Sequence, residues 1–451
     1  MIKVMKFGGT SMGSIDALDR TSSIIAREQA KKAVVVSAMS GVTNYLIACI
    51  RDRPETPSVL DYLRDKYSSA AQGMLSEERF ERCSQQLDAS LSILRGRLEA
   101  RWSVESDPVL EDAIFCWGER LSTIMLTNIL EEKGIPAVAL SAEDAGIVAE
   151  GSPANGSADL AATHANLSRT VLPLLDKGIT PIITGYYGSD RTGRLITFGR
   201  GGSDYSGSVI AYGIDADCYE VWTDVDGFMT ADPRIVPEAR TVDEMDYGEA
   251  AELAYFGAKV LHPRTVEPVR KKSIPLMVKN TFNPDGHGTL VRNQKCNTPE
   301  IVRSVASKGD LSIIKIYSSE IVYNPALISR LIASVSEVAV NTYAISTSLS
   351  TLAVALPTPA IPRVLENLKA LHENQIEKMT VKDNVSLICC VGDNMINTFG
   401  VAAKVFSTVS ATGANVEMIS EGASDVALNF MVPSEKAADV VRNIHKTFIG
   451  G

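Results

Sequence analysis

The sequence predicts an α/β protein: an αβα sandwich on a mostly parallel sheet, followed by two small βαββα units. Three observations carry this. Short β-rich runs alternate with helical stretches through the first two-thirds of the chain, which is the pattern of a parallel sheet with crossover helices. One long helical segment interrupts that alternation. The last third contains an internal repeat at a constant shift of 74 residues.

In chain order, Val4–Phe7 and Val34–Ser37 read as strands, with helical spacing over Ser14–Gln29 between them. Pro136–Leu140, Thr180–Thr184 and Glu220–Thr223 continue the strand series. The segment Arg51–Trp102 is rich in Leu, Arg, Glu, Gln and Ser, and reads as two helices, Leu60–Met74 and Glu77–Leu98. Most of it is expected to be a solvated helical decoration with no chemistry of its own. In the tail, Leu311-Ser-Ile-Ile314 matches Val385-Ser-Leu-Ile388, and Ile345-Ser346 with Ser350 matches Ile419-Ser420 with Ser424. The first copy reads as strand 311–317, helix 325–335, strands 338–345 and 350–356, and helix 359–372. The second reads 385–391, 399–411, 414–420, 424–432 and 434–448. The expected domains are therefore 1–297 (with the insertion at about 51–108), 308–376, and 298–307 together with 377–451. A unit of about 70 residues buries little core alone, so pairing of these sheets within or between chains is expected. A homodimer through the tails, or a dimer of dimers, would cover their edges.

The chain has 451 residues, with 45% hydrophobic and 22% charged residues, the balance of a soluble globular protein. Its formal net charge of −10 argues against nucleic-acid binding, which relies on basic surface to displace counterions. Apolar runs such as Ala33–Val36 and Leu387–Val391 are too short to span a bilayer. The N-terminus has no signal-peptide pattern, so a cytoplasmic protein is expected. The seven cysteines lack metal-ligand spacing and read as reduced core residues. The five histidines form no zinc motif, and no protein-ligated metal is expected. At this length no further dinucleotide-binding domain is expected.

Two glycine-rich loops carry the chemistry. Lys6-Phe-Gly8-Gly9-Thr10-Ser11 follows a strand and precedes a helix, so its N–H groups and the Lys6 ammonium are placed for phosphate oxygens. Alone, this motif serves equally as a tight turn. Gly199-Arg200-Gly-Gly-Ser203-Asp204-Tyr-Ser-Gly207 opens another helix. Arg200 can grip a carboxylate or phosphate with two N–H bonds. Asp204 can orient Lys6, hold an ammonium or touch magnesium, and the plainer alternative is a helix N-cap. Trp222-Thr223-Asp224-Val-Asp-Gly227, Asp232-Pro-Arg234 and Phe256-Gly-Ala-Lys259 supply hydroxyl, carboxylate and cationic groups suited to a nucleotide.

KFGGTS (6–11), SAMSGVTN (37–44), WGERLS (117–122), ITGYYG (183–188), FGRGGSDYSG (198–207), WTDVDG (222–227), DPR (232–234) and ELAYFGAKVLHPRT (252–265) occur in the order found in aspartate kinases, which the chain resembles over nearly its whole length. The tail resembles that family's paired ACT domains. The resemblance implies a kinase that uses ATP with Mg2+ to phosphorylate the side-chain carboxylate of L-aspartate, the first step toward lysine, threonine and methionine. It implies Lys6 at the migrating phosphoryl group and Asp204 as a catalytic, lysine-orienting residue. It implies Arg200 and Ser203 on the substrate carboxylate side, Glu119 on its α-ammonium, and Ser40, Thr43 and Tyr186 lining the pocket. Gly8, Gly9, Thr10, Ser11, Thr223, Asp224, Met229, Arg234 and Lys259 match nucleotide positions. Met229 replaces the aromatic residue of many relatives. In the tail, Asn324, Ser346, Asp393 and Asn415 are the regulatory candidates, with lysine or threonine as effector. The first copy lacks the usual glycines over Tyr317–Pro325, whereas the second keeps Gly392 and Gly400. Two alternatives stand beside this: a kinase of another small acid on the same fold, and a non-catalytic amino-acid sensor.

Overall fold

Strand β1 (Ile2–Phe7) is buried at Val4, Met5 and Phe7 and also at Lys6, so both its faces are covered, as in the centre of a parallel sheet. The computed structural model describes every residue except 259, 294–300, 340, 373–374, 394, 396–397, 423 and 451, and the side chains of 371–372. The chain divides into two units. The first comprises Met1–Phe228, Asp243–Tyr247 and Val260–Gln294, and the second Met229–Val242, Gly248–Lys259 and Lys295–Gly451.

After β1 come α1 (Ile15–Arg27), β2 (Lys31–Val36), α2 (Val42–Asp52), α3 (Thr56–Gln72), α4 (Glu77–Trp102), α5 (Pro108–Phe115), α6 (Trp117–Glu132) and β3 (Ala137–Leu140). Then follow α7 (Ala142–Ala145), β4 (Ala149–Ser152), β5 (Asn155–Ala158), α8 (Leu160–Thr170), α9 (Leu172–Asp176), β6 (Thr180–Thr184), β7 (Tyr187–Ser189) and β8 (Leu195–Thr197). The series closes with α10 (Gly202–Gly213), β9 (Cys218–Thr223), β10 (Glu244–Met245), α11 (Tyr247–Phe256), α12 (Val266–Lys271), β11 (Leu276–Asn280) and β12 (Thr289–Val291).

Eight strands form one sheet in the order β10-β12-β11-β9-β1-β2-β6-β3. Every pairing is parallel except β11 with β12. Phe7 lies in register with Val36 and Trp222, and Val36 with Thr184. The loops after β1, β2, β6 and β9 therefore leave from one edge of the sheet, the carboxyl edge where open α/β sheets bind ligands.

The helical insertion departs from expectation. Val59, Leu60, Leu63, Tyr67, Leu87, Leu91, Leu94 and Leu98 pack in the same core as β1, β2 and α6, so the segment is structural body rather than solvated decoration. Its many charged residues misled because α4 presents them on the face away from a heptad-like Leu87, Leu91, Leu94, Leu98 stripe.

In the second unit β13 (Ser304–Tyr317), α13 (Pro325–Ser336), β14 (Ala344–Thr347), β15 (Thr351–Pro357) and α14 (Ile361–His372) are followed by β16 (Lys378–Val391), α15 (Val401–Ala411), β17 (Met418–Ser420), β18 (Ala427–Pro433) and α16 (Ser434–Phe448). They build a six-stranded antiparallel sheet, β14-β15-β13-β16-β18-β17. β13 and β16 begin at 304 and 378 and end at 317 and 391, the same 74-residue offset as the sequence repeat. Each starts seven residues before the strand read from sequence, 304 against 311 and 378 against 385. Six described cysteines are free, five of them buried. Among the described residues no helix is long and apolar enough to cross a membrane.

Candidate active site

The site is built from the loops at the carboxyl edge of the first unit's sheet. After β1, the Gly8 N–H donates to the Trp222 carbonyl at 3.1 Å, and the Met12 N–H returns to Gly8 and Gly9. That closes a tight turn. The N–H groups of Gly9, Thr10 and Ser11 have no backbone acceptor among the described residues, so the same turn leaves a run of free donors, the arrangement that receives an anion. The tight-turn reading of KFGGTS is thus met, and its free N–H groups are compatible with the phosphate reading. The Ser11 hydroxyl is buried, 2.7 Å from the Thr281 hydroxyl and 3.4 Å from the Trp222 carbonyl, so its N–H rather than its hydroxyl is left for a ligand.

Lys6 is buried, and its Nζ lies 2.5 Å from Oδ1 of Asp204. Asp204 sits in the first turn of α10, whose N-cap is Gly201, not an acidic residue. The N-cap alternative for Asp204 is therefore excluded. Gly201 has φ +71°, and a Cβ there would come within 2.2 Å of the His262 side chain. Only glycine fits. The N–H groups of Ser203 and Asp204 lack backbone partners, as the first turn of a helix requires. Arg200 is exposed beside them, with no ion-pair partner among the described residues.

Glu119 enters from the first turn of α6 and is 2% exposed. Burial pushes its carboxyl up to about 8, against the pull of the Ala38 N–H, the Lys6 charge and the Ser203 hydroxyl. One of its oxygens, Oε2, is buried without a hydrogen-bond partner. Such an acceptor, in a site that already holds a lysine, is suited to a ligand N–H donor. Close packing brings Glu119 there: a Cβ on Gly118 would lie 2.5 Å from the Ala38 side chain. Ser40 is exposed next to the β1–α1 loop, its Cβ 3.3 Å from where a Cβ on Gly13 would be. Thr43 is half-buried in the first turn of α2. Tyr186 takes a left-handed φ of +79°, a costly conformation for a non-glycine residue. Burial and the nearby Glu119 hold its phenol proton well above the usual range. The structure thus brings Lys6, Glu119, Tyr186, Ser203 and Asp204 together.

At the end of β9, the Thr223 hydroxyl donates to Asp224 at 3.2 Å, and both stand at the same sheet edge as Gly8 and Gly9. A family model for the amino acid kinase family matches residues 1–280, and one for the ACT domain matches 388–448. The chain is 30% identical to the lysine-sensitive aspartokinase 3 of Escherichia coli, covering 98% of each chain. It belongs to the aspartokinases of the amino acid kinase family. It is also 29% identical to aspartokinase 3 of Bacillus subtilis, over 100% of this chain and 99% of that one. Among solved structures, E. coli aspartokinase III in complex with aspartate and ADP superposes with a TM-score of 0.85 at 29% identity, covering 100% of both chains. The same enzyme in complex with lysine and aspartate gives 0.83 at 29% identity over 99% of each.

The remaining predicted residues of this aspartokinase fall in the second unit. Arg234 is 81% exposed on its side chain and forks onto Asp232. Met229 is half-buried, and its sulfur accepts from the Thr241 hydroxyl at 3.6 Å, so the thioether is turned to its own hairpin. Lys259 lies outside the described residues. Asn324 is the N-cap of α13 but makes no side-chain cap hydrogen bond, Ser346 is exposed on β14, Asp393 follows β16, and the Asn415 amide donates to Glu417. The glycine-free loop of the first copy folds as a short turn, with the Ser319 N–H and hydroxyl on Glu377 at 2.8 and 2.5 Å.

Sequence reasoning missed three supports. The Tyr67 hydroxyl, fully buried on α3, accepts from the Met39 N–H at 3.3 Å and donates to the Gly118 carbonyl at 2.8 Å. Arg120 pairs with Glu143, which also accepts from the Tyr187 hydroxyl at 2.9 Å. Asp112 holds the Ala154 and Thr197 N–H groups. Only the adjacency of Arg120 to Glu119 was visible beforehand.

Proposed function

We propose that this chain transfers the γ-phosphoryl group of ATP to the side-chain carboxylate of L-aspartate, giving 4-phospho-L-aspartate. The observation that carries it is the Lys6–Asp204 pair set beside the unpaired buried oxygen of Glu119. A carboxylate oxygen of aspartate attacks the γ-phosphorus, the bond to the β,γ-bridging oxygen breaks, and ADP leaves. The nucleophile is already ionised at neutral pH, so no proton moves and no general base is needed. Lys6 offsets charge on the migrating group, and Asp204 fixes the ammonium in place. The free N–H groups of Gly9 to Ser11 receive the phosphates, Glu119 reads the α-ammonium, and Arg200 reads the α-carboxylate. Ser40, Thr43, Tyr186 and Ser203 line the aspartate pocket. Thr223 and Asp224 face the nucleotide, and the resemblance adds Met229, Arg234 and Lys259 as nucleotide residues. Mg2+ held mainly by the phosphate oxygens of ATP and by water would supply charge neutralisation there, with Asp204 the carboxylate that would meet that water.

The tail is proposed as two ACT-type units, 308–376 and 298–307 with 377–451, serving as a homodimerisation module and a sensor of lysine or threonine in a cytoplasmic enzyme. The lysine complex of the E. coli relative supports the effector reading. Steady-state rates with MgATP and aspartate, with hydroxylamine trapping the acyl phosphate, test the activity. Turnover with glutamate, acetylglutamate or carbamate but not aspartate would overturn it. Calorimetry with lysine and threonine tests the sensor, and light scattering showing a monomer would refute the dimer.

A further inference from the structure

Within the second unit, α11 and the sheet's two edge strands, β14 and β17, border a cavity of about 550 Å³. Glu252, Tyr255 and Phe256 reach it from the helix, Tyr343 precedes β14, and Ser424 and Asn429 come from before and within β18. Among the described residues Glu252 is the one charged residue lining it. No lysine or arginine among the described residues pairs with that carboxyl. Burial holds its proton more tightly than usual, against the pull of the nearby Ser424 and Asn429 side chains. Asn429 is 6% exposed, and its Oδ1 is buried with no hydrogen-bond partner. A buried acceptor left unmet is costly and calls for an explanation. The cavity also has an aromatic wall: the Tyr255 ring lies 4.9 Å from Phe256 at a near-right angle and 5.4 Å from Tyr343. The Tyr255 hydroxyl is committed to the Thr342 carbonyl at 2.8 Å, which fixes that ring.

A carboxyl that no described lysine or arginine pairs with, an orphaned amide oxygen and the Tyr255 and Phe256 rings together select one ligand class, the Tyr343 face being already taken by the Lys308 ammonium 5.0 Å from its centroid. An anion would meet Glu252, and a neutral apolar molecule would leave both acceptors bare. A cation with N–H donors satisfies all three. We propose that this cavity binds a small organic ammonium compound, an alkylamine of amino-acid size. Among the described residues its lining takes nothing from the strand–helix segments 317–325 and 392–400, where the family resemblance places an effector, so it is a separate site.

Calorimetric titration of the full chain with 1,5-diaminopentane tests this, with glutarate as a dianion of equal length. Saturable binding of the diamine and none of glutarate is expected. Glu252→Gln and Asn429→Leu should each weaken it, the first by about tenfold or more, the loss of one charge-assisted hydrogen bond. Asp393→Ala and Glu119→Gln should leave it unchanged, as should turnover in the Glu252→Gln variant without diamine. Absence of saturable binding overturns the proposal. So does an affinity unchanged in both cavity variants, or lost in Glu119→Gln alone. None of these outcomes bears on whether the chain phosphorylates aspartate.

Discussion

Glu119 is a carboxyl buried where its charge is costly, raised to about 8, with one oxygen unpaired. In the folded chain it binds a proton more tightly than in the unfolded one. Between the ordinary value of 4.5 and about 8 the native state therefore holds the extra proton, and stability falls as pH rises through that window. Glu119→Gln removes the liability, so its melting temperature should exceed wild type above about pH 8 and match it below about pH 4.5. If the α-ammonium of aspartate pairs with Glu119, binding drives ionisation, and near pH 6.5 about one proton should be released per aspartate. Calorimetry in buffers of different ionisation enthalpy would read it, and Glu119→Gln should release none. For Lys6, whose Nζ is 2.5 Å from Asp204, Lys6→Ala should lower kcat by about a hundredfold to a thousandfold with the circular-dichroism spectrum retained. Wild-type turnover in that variant would remove Lys6 from the chemistry. These residues were legible because each sits in a short contiguous motif at a strand or helix end. Ser11 was not, since whether a hydroxyl in such a motif faces ligand or core depends on Thr281, 270 residues away.

The elements show where reading from sequence stops. Strands β13 and β16 were foreseen from 311 and 385, but each begins seven residues earlier. The missing halves end in Lys308-Gly309-Asp310 and Lys382-Asp383-Asn384, residues that signal a turn. Asp310 and Asn384 do take left-handed φ values, +59° and +56°. Here they make bulges inside continuous strands, and the register shifts around Leu311. Only the pairing of one copy's strand with the other's decides between turn and bulge. The insertion misled for a similar reason, because Tyr67 on α3 acts through loops distant in sequence. Its hydroxyl joins Met39, next to Ser40, to Gly118, next to Glu119. Tyr67→Phe leaves the N–H and carbonyl without that partner, a cost of about 1–3 kcal/mol. The KM for aspartate should rise several-fold, with the KM for ATP less affected. Equal changes in both would reduce Tyr67 to a purely structural residue.

At the scale of the whole chain, the segment Met229–Val242 belongs to the same unit as the tail, although Met229 and Arg234 read from sequence as nucleotide residues. The bonds that place it there are specific. The Val305 N–H donates to the Thr230 carbonyl at 2.9 Å, and the Ser304 hydroxyl to the Met229 carbonyl at 2.8 Å. From α16, the Arg442 guanidinium donates to the Ile235 carbonyl at 3.1 Å, and His445 Nε2 lies 3.0 Å from the Thr230 hydroxyl. That hydroxyl also accepts the Arg240 N–H at 3.1 Å, so one side chain ties both arms of the segment to the last helix. Tail and segment thus share hydrogen bonds that would have to break for one to move without the other, a physical basis for coupling that proximity alone does not supply. Thr230→Val keeps the shape of the side chain and removes the hydroxyl. It should raise the KM for MgATP several-fold while the KM for aspartate stays near wild type. Burial holds His445 below its ordinary value of 6.5, so its contribution is present above that pH and lost on acidification. Lowering the pH from 7 toward 5.5 should therefore raise the KM for MgATP in wild type. In His445→Gln, which keeps a polar group without the titration, that rise should be flatter. A parallel slope in both proteins would show that the last helix does not hold the segment Met229–Val242 in place.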